Sequence, residues 1–297
     1  MLINNPATSL DKLKRRVENL FNNQYKRARS KSQLKLNFKS PESKVNKSAL
    51  RNEVADFINR LLKILEHSDI YLFGGVLRDL ALLGKGGFNS DIDLVVDGDL
   101  ERCLTILSSH GAKKNKFGGY RVNIAGWPID IWGAKDTWAI KQGLVHYDGI
   151  SSLINTTVLN WDAILMNWRT GEFICRDNYL DDLLDRKLDI VLIDNPNPIG
   201  MIVRVFRHLC TKDAKSITPA VANYLADCSI KYTFDEIRAS ELASYGNCVI
   251  EPAIYRLFEK LKSYEELDMP TRFKTASDDL VKEGTTLSFY QFELDLE

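Results

Sequence analysis

Apolar positions recur at helical spacing near the start of the chain, where Leu10, Leu13, Val17, Leu20 and Phe21 line one face of a segment from 9 to 29 that Ser9 can cap. A Lys/Ser-rich polar stretch from Ser30 to Ser48 then reads as a linker. Leu50 to Leu65 resumes the helical pattern. Ile70 to Phe73 is a short apolar run of strand type, Gly74-Gly75 a turn, and Val76 to Leu83 a helix. Ile92 to Val96 predicts another strand and Leu100 to Ser109 another helix. Tyr120 to Ile124 and Pro128 to Trp132 predict a strand pair around Ala125-Gly126, and Val158 to Asn167 with Glu172 to Cys175 a second pair around Thr170-Gly171. Beyond residue 176 the pattern is helical, over Tyr179 to Leu184, Pro198 to Cys210, Ala220 to Ala226, Phe234 to Ser244 and Glu251 to Lys262. The order predicts an α/β (α+β) head with a mixed sheet and flanking helices, followed by an all-helical C-terminal region. The expected divisions are a basic helix and linker over 1–48, the head over 49–196, and a helical neck, body and tail over 197–297. The seam falls at Asn195-Pro196-Asn197-Pro198, and no internal repeat is visible.

With 297 residues, 44% of them hydrophobic, the chain can bury a substantial core. No apolar run approaches the length of a membrane span, and Met1 to Asn5 lack the basic-then-apolar pattern of a signal segment, so a cytoplasmic protein is expected. Cys103, Cys175, Cys210, Cys228 and Cys248 are odd in number and never spaced as C-x-x-C, which argues for reduced thiols rather than a disulfide framework or a zinc site. The net charge is zero, yet residues 1–50 carry twelve Lys and Arg against three Asp and Glu, leaving +9 there and −9 in the remainder. A basic arm on an acidic body points to a polyanionic partner, an acidic surface of a partner, or the protein's own acidic surface.

The most informative stretch is Phe73-Gly74-Gly75-Val76-Leu77-Arg78-Asp79, followed by Asp91-Ile92-Asp93-Leu94. On a strand, Asp91 and Asp93 project from one face. Carboxylates held side by side repel one another, and a hard divalent cation with oxygen ligands relieves the repulsion. Asp130 stands between Ile129 and Ile131 in a separate predicted strand. If the two strands are neighbours, Asp91, Asp93 and Asp130 form a cage for one or two Mg²⁺ ions. Gly74-Gly75, between a strand and a helix, lets a phosphate approach backbone at a helix N-terminus. These are parts for metal-assisted phosphoryl or nucleotidyl transfer. Arg78 and Asp79 are explained equally by nucleotide contact and by a salt bridge bracing the head. Lys113, Lys114, Lys116 and Arg121 read first as a solvated basic loop, and as a second reading lend positive charge near the phosphates. The four histidines show no metal-ligand spacing. Trp127, Trp132, Trp138, Trp161 and Trp168 cluster around the predicted sheet as core residues, any one of which is also a surface on which a base can stack.

Gly74-Gly75-x-x-Arg78-Asp79 followed by Asp91-x-Asp93 resembles the head of the polymerase-β-type nucleotidyltransferases, in particular the bacterial tRNA CCA-adding and poly(A) polymerase branch. The resemblance continues through Asp162-Ala163-Ile164, Asn167, Thr170-Gly171-Glu172, Leu180-Asp181-Asp182-Leu183 and the helix with Arg204 and Arg207, and covers roughly residues 68–210. It implies template-independent transfer of a nucleoside monophosphate from a triphosphate to a hydroxyl, with release of pyrophosphate. Two Mg²⁺ ions, or Mn²⁺ in their place, would be held by Asp91, Asp93 and Asp130. Gly74, Gly75, Arg78, Asp162, Arg204 and Arg207 would contact the nucleotide.

Two departures bear on substrate choice. Where the branch has an Asp for the ribose 2′-hydroxyl, this chain has Thr156-Thr157-Val158, which opens the way to deoxynucleotides. Where the branch reads the base with Glu-Asp-x-x-Arg, this chain has Pro196-Asn197-Pro198-Ile199-Gly200. The short helical part further argues against standard tRNA CCA addition. The expected partners are a nucleoside triphosphate, a nucleic-acid strand or a protein hydroxyl as acceptor, and a polyanion or acidic partner for the basic arm. The alternatives are protein nucleotidylation or protein-primed synthesis in antiviral defence, with Tyr290 as a conceivable primer; CCA or poly(A) addition; and a degenerate head that only binds.

Overall fold

The computed structural model describes residues 6–21, 47–84, 88, 90–212, 214–285 and 293–294. The expected first helix beyond Phe21, the expected linker from 30 to 46, and Tyr290 lie outside the described residues. The contacts divide the chain into two units, Met1–Thr137 with Ile164–Ile174, and Trp138–Ala163 with Cys175–Glu297. The divisions expected at 48 and 196 therefore fall elsewhere. Alternating strands and helices record local periodicity, which carries no trace of the chain leaving the first unit after Thr137 and returning at Ile164.

The first unit contains α1 (Leu10–Phe21), α2 (Lys47–Ile64), β1 (Asp69–Phe73), α3 (Gly75–Leu83), β2 (Ile92–Asp97), α4 (Leu104–Ser109), β3 (Lys113–Lys114), β4 (Tyr120–Ile124), β5 (Trp127–Gly133), β6 (Ile164–Asn167) and β7 (Phe173–Cys175). The seven strands form one sheet, mixed as expected, in the order β3-β4-β5-β2-β1-β6-β7. β2 and β5 are parallel, whereas β1 runs antiparallel to both β2 and β6, and β4 antiparallel to β3 and β5. Along β5 the pleat alternates strictly: Ile129 and Ile131 are buried and Asp130 and Trp132 half-buried. Ile92 and Leu94 of β2 pair with those two isoleucines, so an apolar row crosses the sheet beneath the polar one.

α2 and α3 pack on the sheet and α1 packs on both helices. The apolar stripe of α1 is the reason: Leu13, Val17, Leu20 and Phe21 are all buried. Polar contacts fix the same helix. Arg16 Nη1 donates to the carbonyls of Leu80 and Ala81 at 2.8 and 2.9 Å. These lie in the last turn of α3, where a cation is favoured; the Leu80 carbonyl also accepts from the Gly84 N–H at 3.1 Å. Lys14 Nζ donates to the Thr170 carbonyl at 3.0 Å. α1 is thus part of the first unit, and some of the N-terminal positive charge is used inside it.

The second unit holds α5 (Trp138–Lys141), α6 (Tyr179–Asp185), β8 (Lys187–Leu188), α7 (Pro198–Thr211), β9 (Ser216–Ile217), α8 (Pro219–Lys231), α9 (Phe234–Tyr245), α10 (Pro252–Leu261), α11 (Met269–Lys282) and β10 (Glu293–Leu294). It is predominantly helical, but β8, β9 and β10 form a small parallel sheet that the expected all-helical region omits. Strands of two residues leave no periodicity to detect. α7 begins at the predicted seam, where the Asn197 side chain accepts from the Gly200 N–H at 3.2 Å and Pro198 occupies the first turn. The strand expected over 158–167 is shortened to β6. Asn160–Asp162 instead form a single 3₁₀ turn, in which Asn160 accepts from the Asp189 N–H at 2.9 Å and donates to Asp182 at 2.9 Å. Burial pushes the thiols of Cys103, Cys175 and Cys228 up to about 11, which keeps them protonated at neutral pH. Among the described residues no helix is long and apolar enough to cross a membrane.

Because Leu13 is wholly buried, Leu13→Ala should lower the stability of the full chain by about 2–5 kcal/mol. Urea unfolding followed by circular dichroism measures this, and an unmoved midpoint would show that α1 stands apart from the core.

Candidate active site

The register of three adjacent strands assembles the site. Asp93 of β2 is the Cα partner of Asp130 on the parallel β5, and Asp130 is in turn the partner of Arg121 on β4. Residues paired across a sheet share a face, as do residues two apart along a strand. Asp91, Asp93, Asp130 and Arg121 accordingly lie on one face, opposite the buried isoleucines. On the other side of β2, Phe73 of β1 pairs with Asp93, so the chain enters Gly74-Gly75 beside the start of β2. Phe73 packs edge-on against Trp132, with ring centroids 6.0 Å apart, and forms the apolar border of the polar row.

The turn itself is built for a glycine. Gly74 has φ 61° and ψ −115°, outside the range of residues with a Cβ. Its N–H donates to the Ile164 carbonyl at 3.0 Å, and its own carbonyl accepts from the Leu77 and Arg78 N–H groups, each at 3.0 Å. α3 starts immediately afterwards, with the partial positive charge and unsatisfied N–H groups of a helix N-terminus. A Cβ at Gly75 would stand 3.5 Å from Ser90 Oγ, which places the turn directly against the residue before Asp91. Among the described residues Ser90 Oγ is buried without a hydrogen-bond partner. The glycine turn, the serine and the first carboxylate are therefore contiguous in space.

Charge in the cluster is not left uncompensated. Arg121 Nη1 lies 3.3 Å from Asp130 Oδ2, and Nη2 makes a close ion pair with Asp91 Oδ2, so the guanidinium bridges two of the three carboxylates. Burial holds the Asp130 carboxyl above the ordinary carboxylate range, with Arg121 pulling it back down and Asp91 adding to the rise. Burial lowers the pKa of Arg121, but Asp130, Asp91 and Asp93 outweigh it and the net direction is upward. The donor set, carboxylate oxygens from adjacent strands, has the chemistry of a hard divalent cation site. As arranged, no group of three donors among the described residues closes on one point, and a guanidinium is the cation held between Asp91 and Asp130. The residues match Mg²⁺ or Mn²⁺ by donor type and by placement on one face.

Arg78 is buried on α3, with Nε 2.9 Å from Asp79 Oδ1, and both side chains are almost wholly covered. The same guanidinium lies by the glycine turn, its Nη2 3.5 Å from where a Cβ at Gly75 would stand. Asp162, Arg204 and Arg207 belong to the second unit. Asp162 is buried in the 3₁₀ turn, and Arg204 is exposed on α7. Arg207 Nη1 is 2.5 Å from the fully buried Glu241, and its guanidinium lies 4.0 Å from the centre of the Tyr245 ring. Glu241 also accepts from the Val249 and Ile250 N–H groups at 3.0 and 3.3 Å, so it joins α7 and α9 to the segment that follows α9. Val158, at the position of the sugar-reading Asp in the resemblance, is buried.

The sequence names Arg121 as a candidate source of positive charge but not its pairing with Asp130 and Asp91, and it does not single out Ser90. The pairing of Arg121 was within reach of the sequence. Ala125 and Gly126 both have positive φ, as a two-residue hairpin turn requires, and counting outward from such a turn pairs position 121 with 130. Ser90 carries no comparable signal, since its place depends on the close approach of Gly75.

No protein-family model matches the chain, and no curated protein does. Among solved structures it is similar to the Thermotoga maritima CCA-adding enzyme complexed with tRNA CCA, at TM-score 0.49 and 17% identity over 72% of this chain and 58% of that one. It is similar also to a CCA-adding enzyme in complex with ATP, at TM-score 0.48 and 18% identity over 76% and 61% of the two chains. A third is a tRNA-processing enzyme in an apo form, at TM-score 0.46 and 14% identity over 81% and 76%. The chain spans about three-fifths of the length of the first two. At these values the likeness carries nothing about chemistry, which rests on the carboxylates, the glycine turn and their register.

The environment of Arg207 makes its principal contribution one of stability. Arg207→Ala strands the buried Glu241 carboxylate and should destabilise the full chain by about 3–5 kcal/mol. Chemical denaturation of the variant gives the number, and a change below about 1 kcal/mol would release Arg207 from this structural assignment.

Proposed function

We propose that the chain is a metal-dependent nucleotidyltransferase that works without a template and transfers nucleoside monophosphates from ribo- or deoxyribonucleoside triphosphates to a hydroxyl acceptor, releasing pyrophosphate. The observation that carries this reading is the register of Asp93 with Asp130, with Asp91 two residues away on the same face and the Gly74-Gly75 turn alongside. A structural ion pair needs one carboxylate per cation. Three carboxylates facing a helix N-terminus that suits phosphate make sense where cations and a polyphosphate meet.

In this reading Asp91, Asp93 and Asp130 hold two Mg²⁺ ions, or Mn²⁺ in their place. When bound, the ions lower the pKa of the attacking hydroxyl and neutralise charge on the phosphates. Asp91 and Asp93 are kept pointing the same way by the pleat, and Asp130 is kept beside them by pairing to β2, with the Arg121 guanidinium bridging Asp130 and Asp91. Gly74 and Gly75 let phosphate oxygens reach the first N–H groups of α3 without a Cβ in the way. Phe73 and Trp132 bound the row with apolar surface.

Sugar and base selection differ from standard CCA addition. Val158 has no group to bind a 2′-hydroxyl, which supports acceptance of either sugar. Asn197 is engaged as the cap of α7 at the place where the resembling branch reads the base. The basic residues between Lys26 and Lys44, seven against the single Glu42, provide the charge for a polyanionic strand, whereas Lys14 and Arg16 are engaged within the first unit.

Incubating the full chain with all eight nucleoside triphosphates, Mg²⁺, and oligonucleotide or no primer, followed by sequencing and intact-mass analysis, tests the reading and separates nucleic-acid from protein acceptors. Asp91→Asn and Asp93→Asn should each reduce incorporation by roughly 10²–10³-fold or more. No incorporation from any triphosphate by the unaltered protein sinks the proposal. Replacing the seven basic residues between 26 and 44 with Ser or Gln should flatten the salt dependence of oligonucleotide binding and shorten the products while sparing single-nucleotide transfer. A salt dependence that stays as steep would move the strand-binding charge elsewhere.

A further inference from the structure

Arg121 is in an unusual position for a basic side chain. It starts on β4, pairs directly with Asp130 on β5, and reaches past that strand to Asp91 at the start of β2. Two strand spacings are about 10 Å, near the limit of an extended arginine. A planar guanidinium can bind two carboxylates at once across such a gap, whereas an ammonium is a single point charge. The interaction is nonetheless loosely held. The Arg121 side chain is 53% exposed and that of Asp91 44%, against 9% and 2% for Arg78 and Asp79. Burial locks the Arg78 and Arg207 pairs, while the Arg121 pairs face solvent and are of the kind that exchanges cheaply.

Resting on the nucleotidyltransferase reading, we propose that Arg121 is an exchangeable cation of the reaction centre. In the metal-free protein it neutralises Asp91 and Asp130, and when divalent ions take those carboxylates it turns to the phosphates of the nucleotide. The oxygens it holds, Asp91 Oδ2 and Asp130 Oδ2, belong to the residues that would ligate the ions. Guanidinium and metal therefore compete for them. Once displaced, the guanidinium is repelled by the ions and by Lys113, its partner on β3, and the nearest anion it can then serve is the polyphosphate. In the absence of metal the guanidinium offsets the repulsion between the carboxylates, and the exchange couples arrival of the ion to a gain of positive charge where triphosphate lands.

The test uses the full chain and the variants Arg121→Gln and Arg121→Lys, each checked for folding by circular dichroism. Mn²⁺ binding is read from the free-ion signal in electron paramagnetic resonance. Arg121→Gln should bind Mn²⁺ roughly three- to thirtyfold more tightly, the range expected from removing two exposed ion pairs. At saturating Mg²⁺, its affinity for a triphosphate with a methylene in place of the α–β bridging oxygen should fall by roughly tenfold. Arg121→Lys should fall between the two for both readouts. Mn²⁺ affinity indifferent to position 121 overturns the exchange, and so does an analogue affinity that does not drop. No Mn²⁺ binding by any of the three proteins removes the nucleotidyltransferase reading along with it, so the two failures are distinguishable.

Discussion

Three carboxylates held on one face of a sheet by strand pairing are the constraint around which the first unit is arranged. Neighbouring strands stand about 4.8 Å apart, and two unit charges at about that spacing repel by roughly 3 kcal/mol at the effective dielectric of a protein surface. Side chains on a flexible loop would swing apart. Asp93 and Asp130 cannot, because their Cα atoms are register partners and the residues flanking them, Ile92, Leu94, Ile129 and Ile131, are buried on the opposite face. Slipping either strand by one residue would bury a carboxylate and expose isoleucines. The apolar row thus enforces the polar one, and a cation on the open face is what remains to relieve the repulsion.

The arginines show how differently one residue type can be used. Arg16 closes the carbonyl end of α3, Arg78 is locked to Asp79, and Arg207 is locked to Glu241. Each satisfies a fixed, covered partner. Arg121 alone among these four spans two acceptors on different strands, with both it and Asp91 substantially open to solvent. Burial, rather than charge, separates a brace from a group able to change partners, because the cost of leaving a carboxylate behind is large in a covered site and small in an open one.

Much of the first unit was legible in the chain. A short apolar run located β1, the Asp91-x-Asp93 segment β2 and the turn at Ala125-Gly126 the pair β4 and β5, and the Asp91-x-Asp93 spacing with Asp130 between isoleucines identified the residues that share a face. The hairpin at Ala125-Gly126 also contained the pairing of Arg121 with Asp130, information present in the turn and read instead as a basic loop. Other features were not written locally. The helix at Leu10–Phe21 was visible, but its membership of the first unit rests on Leu13 and Arg16 meeting α3, some sixty residues away in sequence. The division of the chain at Thr137 and Ile164 follows long-range contacts, and the two-residue strands β8, β9 and β10 are too short to leave a pattern.

The phosphate-handling and substrate-selecting parts of the proposed site fared differently for a physical reason. Holding metal and phosphate demands particular groups, namely hard oxygens on one face and backbone N–H groups at a Cβ-free turn, and those groups are compact in sequence and assembled within the first unit. Choosing a sugar or a base demands only that some polar edge be matched, so the positions that do it are free to drift into other uses. Here Val158 is core, Asn197 caps α7 and Arg207 holds Glu241, all in the second unit. The three positions that the resemblance would assign to selection are thus engaged in packing, capping and an ion pair, while the carboxylates stand on an open face. In the proposed reading, discrimination among nucleotides therefore falls to groups other than these three, and phosphate and metal are the parts of a substrate that the first unit is equipped to hold.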